Sequence, residues 1–327
     1  MTVQKSPTNK IPILYLIFLI GVLSVWGIYM YQSNSYYVFL KHWTAILTMI
    51  FGSFVAGSSP EGSAAIAYPI FTLLLKIEPS VARNFAFAIQ SIGMTAASLL
   101  IIGLKIKIEL NYIKYVSLGG VFGLLFCTYY IVPLISPPLA KLFFVSLWLS
   151  FGLVLWRQNK GKQRQVLESI NPFSKNDALK LIFFGIIGGC ISAVFGTGIN
   201  IFTFCLMTIY YNIDEKVAVP SSVIIMTIET ILGFFLHAGI IQDFQQQSFE
   251  MWLACIPFVI FFAPLGAYLV NKLPRHWVAT FIYLILVIQF IGAFWVLRPQ
   301  GIHLWMSLFT IIVGIVFFAY LATLKRQ

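Results

Sequence analysis

Residues 57–63 read Gly57-Ser58-Ser59-Pro60-Glu61-Gly62-Ser63, and residues 195–198 read Phe195-Gly196-Thr197-Gly198. Each sits midway in a long apolar run, 44–76 and 179–211. As one straight helix, such a run would reach roughly 50 Å against a bilayer core of about 30 Å. Both runs therefore have to bend or stop, and glycine among small side chains is what lets a helix stop. Arms of roughly 13 to 15 residues on either side extend about 20 Å, past the middle of the core but not across it. The expected structure for each run is a re-entrant helical hairpin.

The rest of the chain sets the solvent. Of 327 residues, 60% are hydrophobic and only 9% charged, whereas a soluble domain carries about a quarter charged residues. Apolar segments recur along the whole length, interrupted by one polar stretch at 157–178, which predicts a single membrane domain over 1–327. At about 20 residues per span, eight spans are expected: 12–32, 83–104, 112–132, 139–156, 217–240, 250–271, 277–297 and 302–324. The run from Ile11 to Tyr31 is too long for the apolar core of a signal peptide and has no small-residue cleavage site, so it reads as a retained helix.

The net charge of +11 does not point to nucleic acid, because the Lys and Arg residues fall in short loops between apolar runs, as the positive-inside rule requires. The expected surroundings are a lipid bilayer and a small solute. If both long runs are hairpins, Lys41, Lys76, Arg83, Lys141 and Arg298 lie outside and the other sixteen of the 21 basic residues are cytoplasmic. If both runs cross the membrane, the division becomes 11 against 10. The hairpin topology is preferred. It places repeat 1 at 44–156, a cytoplasmic loop at 157–178 and repeat 2 at 179–297. One hairpin then enters from outside and the other from the cytoplasm, each followed by three spans.

The expectation is an all-α polytopic membrane protein of two inverted repeats, a design in which one half rocks against the other around a central site. Setting Gly62 on Gly196 aligns the repeats, with a two-residue slip before Val81 meets Val217. The helices 12–32 and 302–324 fall outside them and are expected either to contact another subunit in a homo-oligomer or to hold both termini in the cytoplasm, with the plasma (inner) membrane as the setting.

A break inside the membrane leaves backbone groups unpaired, so it must line an enclosed or wet cavity. The returning arms, Gly62 to Ala65 and Gly198 to Ile201, aim N–H groups and a positive dipole end there, which favours an anion. Candidate substrate contacts are Ser58, Ser59, Gly62, Ser63, Gly196, Thr197, Gly198 and Asn200, with Gln90, Ser91, Ser221, Ser222 and Thr227 as cavity walls. Small residues that merely let helices approach are the alternative.

Glu61 and Glu229 are the two acidic residues inside apolar segments, and an intramembrane carboxyl is a functional candidate by default. They either exchange protons during transport or are held neutral by a neighbour. Arg83 and Asn84 form an outer anion gate or an interfacial pair reaching the headgroups, and His237 reads as interfacial. Cys127, Cys190, Cys205 and Cys255 stand singly and read as packing residues, with neither disulfide nor metal site indicated. No nucleophile with its base, Walker motif or dinucleotide motif is present. No enzyme and no cofactor is expected, and an anion channel or a membrane sensor or scaffold are the alternatives to a carrier.

Over 44–297 the chain resembles the sulfite exporter TauE/SafE family of membrane permeases. The resemblance rests on A-G-S-S-P-E-G-S-A-A-I-A-Y-P (56–69) and I-G-G-C-I-S-A-V-F-G-T-G-I-N-I-F (187–202), each followed by an alanine-containing turn, V-A-R-N-F (81–85) and V-A-V-P-S-S (217–222). Against the family's G-x-G-G-G-x-x-x-x-P pattern, the first copy has Glu61-Gly62-Ser63 and keeps Pro69, while the second has Thr203 in place of the proline. The resemblance implies transport of sulfite, thiosulfate, organosulfonates or related anions.

Overall fold

The computed structural model describes residues 11–63, 66–67, 70–134, 137–160 and 165–324. Ala64, Ala65, Pro69 and the basic residues Lys5, Lys10, Lys162, Arg164, Lys325 and Arg326 of the sequence reading lie outside them.

Among the described residues the chain is helical and has no strand. Eight helices are long and apolar enough to cross a membrane: α1 (Ile13–Ser33), α4 (Pro79–Gly103), α5 (Leu110–Tyr130), α7 (Lys175–Phe195), α9 (Glu215–Phe235, continued by a π turn to Ile240), α10 (Gln246–Lys272), α11 (Arg275–Leu297) and α12 (Ile302–Thr323). Between them lie the short α2 (Tyr37–Lys41) and α8 (Ile199–Cys205), the 16-residue α3 (Trp43–Ser58) and α6 (Pro137–Asn159), which contains the expected span 139–156.

The long runs do break where the sequence breaks. The first arm of the first run is α3, which stops as Ser59 turns extended ahead of Pro60, the conformation that proline imposes on its predecessor. The first arm of the second run is α7, which ends on Gly196 in the left-handed region at φ 76°. It is 21 residues long, well beyond the arm length expected from the apolar run. The cause lies upstream: Ser174 and Asp177 form a capping box that starts the helix before the apolar run begins. Replacing Ser174 with alanine should lower stability by about 1 kcal/mol; an unchanged melting midpoint of the detergent-purified protein would show the box to be idle.

Backbone features of the first half recur in the second at a fixed sequence offset. The segments after the breaks end in π turns at Ile70–Leu74 and Leu206–Tyr210. Each is followed by a left-handed residue, Lys76 and Asn212. Ile77 N–H donates to Phe71 O as Ile213 N–H does to Met207 O. The next helices start at Pro79 and Glu215, and those after at Leu110 and Gln246. At this offset Gly62 matches Gly198, both at positive φ, so the alignment on Gly196 is two residues out.

Close packing follows glycine. Helices α5 and α7 run parallel, with Gly119 against the Ile182 carbonyl, Gly123 against that of Ile186 and Gly189 against that of Gly120. A disulfide joins Cys127 of α5 to Cys190 of α7, which corrects the reading of both as unpaired packing residues. Their separation of 63 residues carries no pairing signal, and only the parallel register brings them together. Cys205 and Cys255 are free and buried.

Helix α3 runs parallel to α10: His42 and Lys41 bind Glu250 at one end, and Gly57 meets the Ala263 carbonyl at the other. Helices α4 and α9, by contrast, cross antiparallel, with Asn84 near Asp243, Phe87 against Gly233 and Ser98 bonded to Thr227. Helix α6 packs on α11 and α12 through Asn159 to Tyr283 and Ser146 to Ser307. Arg275 ties this layer to the start of α9 through Glu215.

Residues 165–178 of the polar stretch are tied to the helices. Leu167 pairs with Asn212 and Asp214 of the backbone, and the Ile170 N–H donates to the Glu109 carboxylate. Burial raises the pKa of Glu109 above its ordinary value, and the two backbone N–H bonds it accepts act against that rise.

Candidate functional site

The breaks of the two runs meet. Asn200, at the start of α8, donates from Nδ2 to the Pro60 carbonyl at 2.6 Å and faces the Met226 sulfur at 3.1 Å. A Cβ added to Gly62 would lie 2.7 Å from Thr197 Oγ1, 3.1 Å from Met226 Sδ and 3.3 Å from Gln90 Oε1. Gln90 of α4 donates to the Gly196 carbonyl at 3.3 Å. One turn is thus seated on residues of the other run, and both are seated on α4 and α9.

The hydroxyls divide into spent and available. Ser58 and Ser59 donate back to the carbonyls of Phe54 and Val55, which satisfies the end of α3. Thr197 donates to Asn200 Oδ1, and Ser192 Oγ accepts the Ile199 N–H. Ser63 Oγ and Gln90 Oε1 are buried and have no hydrogen-bond partner among the described residues. Glu61 is fully buried in the first turn. Tyr112 of α5 donates to Thr203 of α8.

Glu229 lies beside the second turn, where Gly120 of α5 packs on both its carboxylate and Ile199. Both its oxygens are buried without a hydrogen-bond partner among the described residues, and Oε2 would lie 2.7 Å from a Cβ at Gly120 of α5. Arg83 and Asn84 are held at the end of α4: Arg83 pairs with Asp243 at 3.4 Å, and Asn84 donates to the Asp243 carbonyl and to Gln245. Arg83 is buried, so it does not reach out to the headgroups. His237, near the end of its candidate span, joins this cluster through Asp243 at 2.8 Å and is buried too. Among the described residues no group of three His, Cys, Asp or Glu side chains could hold a metal ion.

A family model described as sulfite exporter TauE/SafE matches residues 45–293. The chain belongs to that family. Comparison with curated proteins and with solved structures gives no match. TauE/SafE membership makes the chain an integral membrane transporter of sulfur anions and not an enzyme. Both turns, and the helices α4 and α9 that seat them, lie inside the matched segment.

In this TauE/SafE protein the structure brings together Gly62, Thr197, Gly196, Asn200 and Gln90 of the expected site. The hydroxyls of Ser91, Ser221 and Ser222 are engaged with backbone groups: Ser91 donates to the Ala88 carbonyl, Ser222 to that of Val219, and Ser221 to that of Val217 while accepting the Glu109 N–H. Thr227 bridges to Ser98 across α4 and α9 at 2.7 Å. Sequence reasoning missed Met226. The signal was present, since the offset that sets Gly62 on Gly198 also sets Gln90 on Met226, which holds the matching place on α9. An apolar groove of about 420 Å³ lies elsewhere, between α1, α4 and α10, lined by Trp26, Ile92 and Trp252 among others.

Proposed function

We propose that the chain carries a small sulfur-containing anion, such as sulfite, thiosulfate or an organosulfonate, by alternating access around the meeting point of the two turns. The observation that supports this best is the 2.6 Å bond from Asn200 to Pro60 across 140 residues of sequence. Unpaired backbone at a break is tolerated in a bilayer only where protein or water encloses it, and mutual contact of two breaks meets that demand. The antiparallel crossing of α4 and α9, which occupy matching places in the two halves, favours two hairpins entering from opposite faces, hence inverted repeats.

In this reading the contact opens toward one side at a time. The Asn200 amide, the Thr197 and Ser63 hydroxyls and the N–H groups following Gly62 and Gly198 then receive the anion's oxygens. Glu61 and Glu229 exchange the protons that offset its charge, and the Arg83–Asp243 pair gates one end. Both termini face the cytoplasm of a cell whose plasma membrane holds the protein.

The test is flux into liposomes. Purified protein should move sulfite, thiosulfate or isethionate, faster with a proton gradient, and Glu229→Gln should lose the gradient's effect. Folded protein that moves none of the three would overturn the reading, and currents far above a carrier's turnover would replace it with a channel.

A further inference from the structure

We infer that the bodies which move against each other during transport are not the two sequence halves. They are two interleaved units in which the halves have exchanged their middle helices. One unit holds α1, α3, α4 and α10, and the other holds α5, α7, α8 and α9. The inference rests on the alternating-access reading above, and it follows from how each interface is made.

Inside each unit, backbone lies on backbone. A Cβ on Gly57 of α3 would stand 1.9 Å from the Ala263 carbonyl oxygen of α10, and one on Gly266 of α10 would stand 2.2 Å from that of Phe54. In the other unit, a Cβ on Gly123 of α5 would stand 2.0 Å from the Ile186 oxygen of α7, and one on Gly185 would stand 2.3 Å from that of Val116. Helices in such contact have no side-chain layer in which to slide. The disulfide from Cys127 to Cys190 closes the α5–α7 interface covalently. A rocking of half against half would have to tear all of these apart, because each pairs a helix of one half with a helix of the other.

Apart from His237, which reaches from the end of α9 to Asp243 at the joint between the units, the helix-end clamps follow the same division. Asn84 of α4 holds the segment leading into α10, through the Asp243 carbonyl and Gln245. Ser221 of α9 holds the Glu109 N–H, at the start of α5. Trp252 of α10 donates to the Ala88 carbonyl of α4, and Glu229 of α9 lies against Gly120 of α5.

Between the units backbone meets backbone at one looser point, where a Cβ on Gly196 would stand 2.7 Å from the Arg83 carbonyl oxygen of α4, and the other contacts are made by side chains. Ser98 meets Thr227 through hydroxyls at 2.7 Å, Gly233 meets the ring of Phe87, the Asn200 amide joins the two turns, and the Gln90 amide joins α4 to Gly196. Such contacts can break and re-form. The chain crosses between the units after α4 and again after α9, and each crossing carries a non-glycine residue in the left-handed region, Lys105 at φ 56° and Gln242 at φ 59°. These are matched joints at opposite ends of the α4–α9 pair.

The experiment is a pair of cross-links in liposome flux. The offset between the halves carries Cys127 onto Ala263 and Cys190 onto Phe54, so Phe54→Cys with Ala263→Cys places on α3 and α10 the counterpart of the native disulfide. Oxidised and reduced forms of this protein should carry sulfite at rates within about twofold. Ser98→Cys with Thr227→Cys bridges the units; its oxidised form should be at least tenfold slower than the same protein after reduction.

A blocked first cross-link, or an unaffected second, overturns the inference. Spin-label distances in nanodiscs decide it without any substrate, in a background with Cys205 and Cys255 changed to alanine. Leu47 with Leu269, both exposed within one unit, should give a narrow distribution, and Leu47 with Phe183, across the units, a broad one. Equal widths overturn the inference. Absence of flux in every protein would instead count against the transport reading, with the label widths still deciding this one.

Discussion

Changing Gly62 to leucine is expected to abolish transport while leaving a folded protein. The backbone there is at φ 73°, where a side chain strains the chain by about 1 to 2 kcal/mol. The new Cβ would stand 2.7 Å from Thr197 Oγ1, and overpacking adds about 1 to 3 kcal/mol. The total, roughly 2 to 5 kcal/mol, lowers occupancy of the closed arrangement of the turns by about 30-fold to several thousandfold, at about 1.4 kcal/mol per factor of ten. Gel filtration should show the normal elution, and liposome flux should vanish. Wild-type flux from Gly62→Leu would mean that the turns need not meet during the cycle.

The second large effect concerns folding. Gly123→Leu puts a Cβ 2.0 Å from a backbone oxygen of α7, and backbone cannot rotate away as a side chain could. The helices have to part, at a cost of about 3 kcal/mol, the upper end of ordinary overpacking, with loss of the surrounding contacts and of the approach that lets Cys127 meet Cys190. The expected result is little monodisperse protein after extraction and a strongly lowered melting midpoint. Gly292→Leu is the comparison: nothing lies within 4 Å of its Cβ, and its stability should be unchanged. Equal behaviour of the two variants would show that the α5–α7 interface is looser than its geometry implies.

Much of the architecture was legible because membrane physics makes composition speak loudly. The apolar runs placed helices to within a few residues, and Pro60, Gly62, Gly196 and Gly198 marked the breaks, since a helix can be stopped by few residue types. Arm length was not legible, because the start of α7 is set by Ser174 and Asp177 in a polar loop that hydropathy ignores. Pairing between helices was hidden for a different reason. A glycine on a helix says that something comes close, but not what, and the register that joins Cys127 to Cys190 exists only in three dimensions.

The site was half legible on the same grounds. Glycines and Asn200 announced an unusual backbone, whereas Ser58, Ser59, Ser91 and Ser222 looked identical as hydroxyl donors until the structure showed them bonded to their own helices. Met226 was invisible as an apolar residue in an apolar helix. Only its correspondence with Gln90 in the other half gives it meaning.

The partnership of α3 with α10 also shapes how the protein is made. Phe54 leaves the ribosome long before Ala263, by an interval of about 10 to 40 s at roughly 5 to 20 residues per second. For that time the glycine face of α3 has only lipid or the insertion machinery against it. Biogenesis therefore depends on α3 remaining in the bilayer, unmatched, until its partner α10 arrives.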